Sequence, residues 1–87
     1  MIEKKILNLI KSKISVEHIY IEDLTHKHQH HKHYNGGGHF KLTVISDDFI
    51  NLSLIKRHRL VYSILADMLK AEIHALSMIT KTTAEYK

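Results

Sequence analysis

The chain has 87 residues, a formal net charge of +4 at neutral pH and 44% hydrophobic residues. A chain of this length and composition forms one folded domain with one hydrophobic core, so we expect a single domain over residues 1–87. The chain contains no cysteine. This excludes disulfides, thiolate zinc sites, cysteine nucleophiles and an iron–sulfur site built from its own thiolates. Any metal site must use histidine or carboxylate ligands.

The charge pattern also limits location and partners. A modest positive charge is compatible with an acidic protein partner or with weak attraction to nucleic acid, and does not choose between them. Lysines interrupt the apolar positions of residues 1–14, and no apolar run reaches the roughly 18–20 residues that span a bilayer. We therefore predict a cytoplasmic protein that has no membrane partner.

The first half of the chain predicts a helix, a strand, a loop and a second strand. Apolar side chains recur at helical spacing over residues 2–14, and alternation typical of a strand follows at residues 16–24. Residues 25–38 lack any apolar periodicity and end in three glycines, which predicts a loop. Residues 39–46 alternate again, so this segment can return as an antiparallel strand.

The second half predicts a helical region and a last strand. Ser53 is a suitable N-cap for a helix over residues 53–71, in one piece or two. Its predicted apolar stripe contains Ile55, Tyr62, Leu65 and Leu69, with Leu54, Val61 and Met68 beside it. Residues 74–82 again have strand-like spacing, and a strand reached through a helix pairs parallel with its predecessor. The chain is thus expected to be an α+β two-layer sandwich, a three-stranded mixed sheet with helices on one face.

Catalytic motifs are absent from the sequence. There is no GxSxG elbow, no GxxxxGK[ST] phosphate loop and no HExxH helix. The adjacent Asp47 and Asp48 are expected to cap a turn rather than to act as an acid/base pair. We therefore predict a protein that is not an enzyme and has no small-molecule substrate.

The histidines are the unusual feature. Five of them lie in the predicted loop: His26, His28, His30, His31 and His33. Neutral imidazole is a ligand for borderline metals, although a polar loop of this kind can also bind zinc or nickel adventitiously. His74 begins the last predicted strand, where a lone histidine is more often structural than a ligand. Arg57, His58 and Arg59 form a basic run that fits a solvated or salt-bridged helix face, or a nucleic-acid or partner contact.

Four segments in order resemble the BolA family: HFKLTVIS at 39–46, the following Phe49, KRHRLVY at 56–62 and IHALSM at 73–78. The resemblance implies the αββααβ arrangement related to the class II KH fold. It also implies a non-enzymatic partner of monothiol glutaredoxins of the CGFS type, with which BolA-like proteins form heterodimers. Such a heterodimer can share a bridging 2Fe-2S cluster.

The resemblance also implies ligands. The family's C-terminal histidine ligand falls on His74, and the loop ligand falls best on His28, within the pattern D-x-S/T-x-x-H that starts at Asp23. His31 is the next candidate, and the further loop candidates are His26, His30 and His33. Histidine can replace cysteine on one iron of a 2Fe-2S cluster, so the partner and glutathione would supply the thiolates. No cofactor is expected in the isolated chain.

The sequence departs from the family pattern at two points, and two other functions compete with glutaredoxin binding. Asn51 replaces the glycine usual after the family's phenylalanine, and asparagine tolerates left-handed backbone better than most residues. The loop is richer in histidine than the family pattern, which raises zinc, nickel or copper buffering as an alternative. The KH-like topology and the basic run raise a nucleic-acid-binding transcriptional regulator, although the only glycines lie between strands, which is the wrong loop for a KH clamp.

Overall fold

The computed structural model describes residues 1–27 and 37–87. The elements in chain order are helix α1 (Ile2–Lys13), strand β1 (His18–Asp23), strand β2 (Gly38–Ile45), helix α2 (Leu54–Ile64), helix α3 (Ala66–Leu69), strand β3 (Ile73–Lys81) and helix α4 (Thr83–Tyr86). Short 3-10 turns occupy Thr25–Lys27 and Asp47–Phe49. Four of the candidate ligands, His28, His30, His31 and His33, lie outside the described residues.

The sheet has three strands in the order β1-β2-β3. Strand β2 is central, antiparallel to β1 and parallel to β3. The helical region α2–α3 lies between β2 and β3 in the sequence, as a parallel connection requires. The predicted α+β fold with a mixed three-stranded sheet is confirmed.

The core lies between one face of β2 and the helices. Phe40, Leu42 and Val44 alternate along β2 and are at most 3% exposed. They belong to one cluster with residues of α1, α2, α3 and β3: Ile6, Ile10, Val61, Met68 and Ile73. Since the alternate β2 residues Lys41 and Thr43 are not buried, the sheet has one covered face and one open face.

The predicted apolar stripe of the second helix is only partly right. Ile55 and Tyr62 are 62% and 41% exposed, whereas Val61 and Leu65 are fully buried. The reason is that the core-facing stripe runs through Val61, Leu65 and Met68 at i, i+4 and i+7 spacing, so Ile55 and Tyr62 lie on the neighbouring face of α2. The predicted N-cap is confirmed, because the Ser53 side chain accepts a hydrogen bond from the Lys56 N–H at 3.3 Å.

The turn after β2 is hydrogen-bonded to the segment after α1 and to the start of α4. Asp48 Oδ2 accepts from the Ser15 N–H at 2.8 Å, and Asp47 Oδ1 accepts from the Thr83 N–H at 2.9 Å. Both carboxylates therefore have structural partners, but the cap of the turn is Ser46, whose side chain accepts from the Asp48 N–H. Asn51 has φ 68°, so asparagine does adopt the left-handed backbone at this position.

Arg57 connects α2, β3 and α4. Its guanidinium donates to both carboxylate oxygens of Glu85, at 2.6 and 3.1 Å, and to the carbonyl oxygens of Leu52 and Thr80. Glu85 also accepts from the Thr82 N–H in a capping box that starts α4, a helix that the sequence did not predict. The hydrogen bond from Arg57, reinforced by Thr82, lowers the pKa of Glu85 from 4.5 to about 2.

We predict that this contact makes stability depend on acid. Because the pKa of Glu85 is lowered in the folded chain, its contribution is fully present above pH 4.5 and is lost as the pH falls towards 2. The difference in unfolding free energy between the unmodified chain and Glu85→Gln should therefore shrink across this window in urea titrations. The exposed Glu17→Gln is the control, and a Glu85→Gln difference that stays constant from pH 6 to pH 2.5 would contradict the prediction.

Candidate metal-ligand site

Two histidines meet at one edge of the sheet. His39 lies near the start of β2 and His74 near the start of β3, and parallel strands begin at the same edge. The register shifts between Gly38 and His39, so that Gly38 pairs with Ile73 while His39 pairs with Ala75. His74 is the extra residue of this bulge. The imidazole rings of His39 and His74 have centroids 4.9 Å apart and planes tilted by 35°.

The backbone around His39 is fixed on both sides. Its carbonyl oxygen accepts from the Leu24 N–H at 2.7 Å, and its own N–H donates to Thr25 Oγ1 at 3.1 Å. Thr25 in turn donates its N–H and its hydroxyl to Asp23 Oδ1. These bonds lower the pKa of the Asp23 carboxyl, which stays ionised as the acceptor.

Two glycines allow the chain to pass close to this pair. Gly37 has φ +83°, and a Cβ there would lie 3.0 Å from the Cβ of His74. A Cβ on Gly38 would lie 2.1 Å from Cε2 of Phe40, so only glycine fits over that buried ring. Gly37 follows the histidine-rich segment in the sequence and lies directly against His74.

The pair lies beside two concavities. His74 is exposed and His39 is half-buried. A cleft of about 280 Å³ is lined by Leu24, His39, Phe40, Ala75, Leu76 and Ser77. A larger and more open concavity of about 870 Å³ is lined by Met1, Ile2, Glu3, Asp23, Thr25, His26, Gly37, Gly38 and Phe40. The second concavity shares Gly37 with the surroundings of His74, so His26 lies at the same end of the sheet.

His39 was missed in the sequence analysis, although the necessary signal was present. The predicted strands start at His39 and at His74, and parallel pairing already implied that these two starts lie side by side. Within residues 1–27 and 37–87, no group of three or more His, Cys, Asp or Glu side chains is placed to hold a metal ion. Among the described residues, the donors that lie together at this end of the sheet are thus the two imidazoles of His39 and His74.

The basic run of α2 is divided by the fold. Arg57 is directed inward, with a side chain only 12% exposed, and is bonded to Glu85. His58 is half-buried, and its Nε2 has no hydrogen-bond partner in the part of the chain that the structure describes. Arg59 is exposed. The salt-bridge interpretation thus applies to Arg57, and Arg59 is the member of the run that faces solvent.

Comparison with known proteins agrees with this architecture. A family model described as BolA-like protein matches residues 10–85. The chain belongs to this family. A solved BolA domain of SufE1 from Arabidopsis thaliana superposes with a TM-score of 0.83 at 38% identity, covering 94% of this chain and 92% of that one.

Two curated relatives show different contexts for the BolA-like domain. SufE-like protein 1 of Arabidopsis thaliana is 37% identical over 93% of this chain, which spans only 24% of that protein. The DNA-binding transcriptional regulator BolA of Escherichia coli is 30% identical over 88% of this chain, which spans 73% of that protein. No helix in the described ranges is long and apolar enough to cross a membrane.

We predict that Gly37→Ala displaces His74. The substitution places a Cβ against the Cβ of His74 and forces alanine into left-handed backbone, which costs about 1–2 kcal/mol. Urea unfolding should show this loss, and the imidazole NMR signals of His74 should shift. Lys41→Ala, on the open face of β2, is the control. Unchanged His74 signals in a folded Gly37→Ala variant would contradict the proposed close approach.

Proposed function

We propose that this chain is a non-enzymatic adaptor that binds a monothiol glutaredoxin and supplies histidine ligands to a shared 2Fe-2S cluster. The observation that supports the proposal most directly is the position of His74. Its imidazole is exposed at the edge of the sheet, 4.9 Å from that of His39 and against the end of the histidine-rich segment. An incoming partner can therefore reach it.

The donor set fits a cluster shared between two proteins. The chain has no cysteine, and imidazoles can occupy two positions on one iron while thiolates hold the other. In the proposed complex His74 is one ligand, His28 or His31 is the second, and the glutaredoxin cysteine with glutathione supplies the thiolates. The cluster itself brings redox and transfer chemistry. The part of this chain is to hold nitrogen donors at an accessible edge.

The residues beside His74 also suit docking. Ala75 and Ser77 are small and exposed, so a partner backbone can approach β3 without displacing large side chains. The carboxylates that could have suggested catalysis, Asp47 and Asp48, accept hydrogen bonds from the backbone. These features support an adaptor rather than an enzyme.

The proposal is tested by titrating the chain into a cluster-loaded monothiol glutaredoxin with glutathione. We expect new visible absorption and circular dichroism bands, because imidazole replaces a ligand of the cluster. His74→Ala should abolish the new bands without changing the far-ultraviolet spectrum. Replacing His26, His28, His30, His31 and His33 by serine should abolish them as well if the second ligand lies in the loop.

His18→Ala is the matched control. His18 is also exposed, but it pairs with Ile45 at the opposite end of the sheet. Its loss should leave the spectrum of the complex unchanged. Failure of the unmodified chain to form a complex or to alter the spectrum would refute the proposal, as would a His74→Ala variant that behaves like the unmodified chain.

A second candidate function is nucleic-acid binding, favoured by the name of the Escherichia coli relative, a DNA-binding transcriptional regulator. Because Arg57 is bonded internally, Arg59 is the contact that we propose from the basic run. We expect weak binding to duplex DNA that falls as salt is raised, and a decrease of about 1 in the salt slope for Arg59→Gln. Affinity that does not depend on salt would exclude this electrostatic mode.

A further inference from the structure

The second imidazole beside His74 lies in a strand rather than in the histidine-rich segment. The rings of His39 and His74 have centroids 4.9 Å apart. Two imidazoles that bind one tetrahedral ion, each at about 2.0–2.1 Å from the metal, place their ring centroids roughly 5 Å apart. The observed spacing therefore matches what two imidazoles on one ion require.

The pair is also held in place before any ion binds. His39 belongs to the central strand and is fixed through Leu24 and Thr25. The same strand is joined to the chain that carries His74, because the Gly38 N–H donates to the Glu72 carbonyl oxygen at 2.9 Å, two residues before His74. Ligands carried on paired strands lose little freedom on binding, which favours affinity over that of histidines on a loop.

We propose that His39 and His74 form a two-imidazole site for a divalent ion of borderline softness, with Zn²⁺ as its representative. The donors are both nitrogen, and no third His, Cys, Asp or Glu side chain joins them within the described ranges. Such a site disfavours Ca²⁺ and Mg²⁺, which require oxygen ligands. The remaining coordination positions are open to water or to a ligand from another molecule.

The proposed ion site and the proposed shared cluster require different components. It uses His74, as the proposed function does, but it needs neither a glutaredoxin nor glutathione. Its second ligand, His39, is not among the candidates for the cluster. Loss of the ion site therefore leaves the glutaredoxin titration as an independent test of the proposed function.

The experiment uses the full chain with His26, His28, His30, His31 and His33 replaced by serine, so that the loop cannot bind the probe. Calorimetric titration with Zn²⁺ alone should give one site. His39→Asn and His74→Asn, each added to this background, should weaken it by at least the roughly 10- to 100-fold that loss of a supporting partner costs. His18→Asn, at the far end of the sheet, should leave the affinity unchanged.

A second measurement does not depend on the serine background. In the unmodified chain, Zn²⁺ should shift the imidazole NMR signals of His39 and His74 together, at one stoichiometry, and leave those of His18 in place. Absence of Zn²⁺ binding in a folded serine variant would overturn the proposal. So would affinity that survives His39→Asn, or a shift of His74 without one of His39, since the ring contact would then be packing only.

Discussion

Strand β2 is hydrogen-bonded to β1 on one side and to β3 on the other. Its buried face carries the core residues against which α1, α2 and α3 pack. Burial of Phe40, Leu42 and Val44 contributes roughly 1.5–3 kcal/mol for each side chain. Gly38 is part of this constraint, because any side chain there would collide with the Phe40 ring. The strand that organises the core thus also requires glycine at the point where the histidine-rich segment ends.

Parallel pairing of β2 with β3 also determines which residues meet at the candidate site. It brings the starts of two strands that are 35 positions apart in sequence to one edge, and the bulge at Gly38 and His39 leaves His74 beside His39. At the opposite end of the sheet, the salt bridge between Arg57 and Glu85 links α2 to α4. One end of the sheet is therefore held by an ion pair, while the other presents the exposed imidazole of His74 to solvent.

Hydrophobic periodicity predicted the elements of the sheet, because β2 buries alternate residues and α1 buries one stripe. The connections between the strands then predicted the mixed pairing. The periodicity did not show which apolar stripe of α2 is buried, and it did not predict helix α4. On α2 the buried stripe is the one that runs through Val61 and Leu65, so Ile55 and Tyr62 lie on the neighbouring face and remain exposed. Helix α4, which starts at the capping box of Thr82, has 4 residues and is too short to show a hydrophobic period. The proximity of His39 to His74 follows from the parallel pairing of β2 with β3, which the histidine-rich loop does not signal. Arg57 could not be assigned from its basic run, because its partner Glu85 lies 28 residues away.

Without cysteine, this chain contributes nitrogen ligands only, and any thiolate at the sheet edge must come from another molecule. The two proposed sites both use His74, and a metal-binding imidazole nitrogen donates a single lone pair. A Zn²⁺ ion bound by His39 and His74 and a cluster iron bound by His74 are therefore mutually exclusive through that nitrogen. The choice between them depends on the partner. In the proposed complex, a glutaredoxin that brings thiolates and a cluster would offer His74 a better-completed coordination shell than an open two-imidazole site does, so we expect a divalent ion on the unpartnered chain.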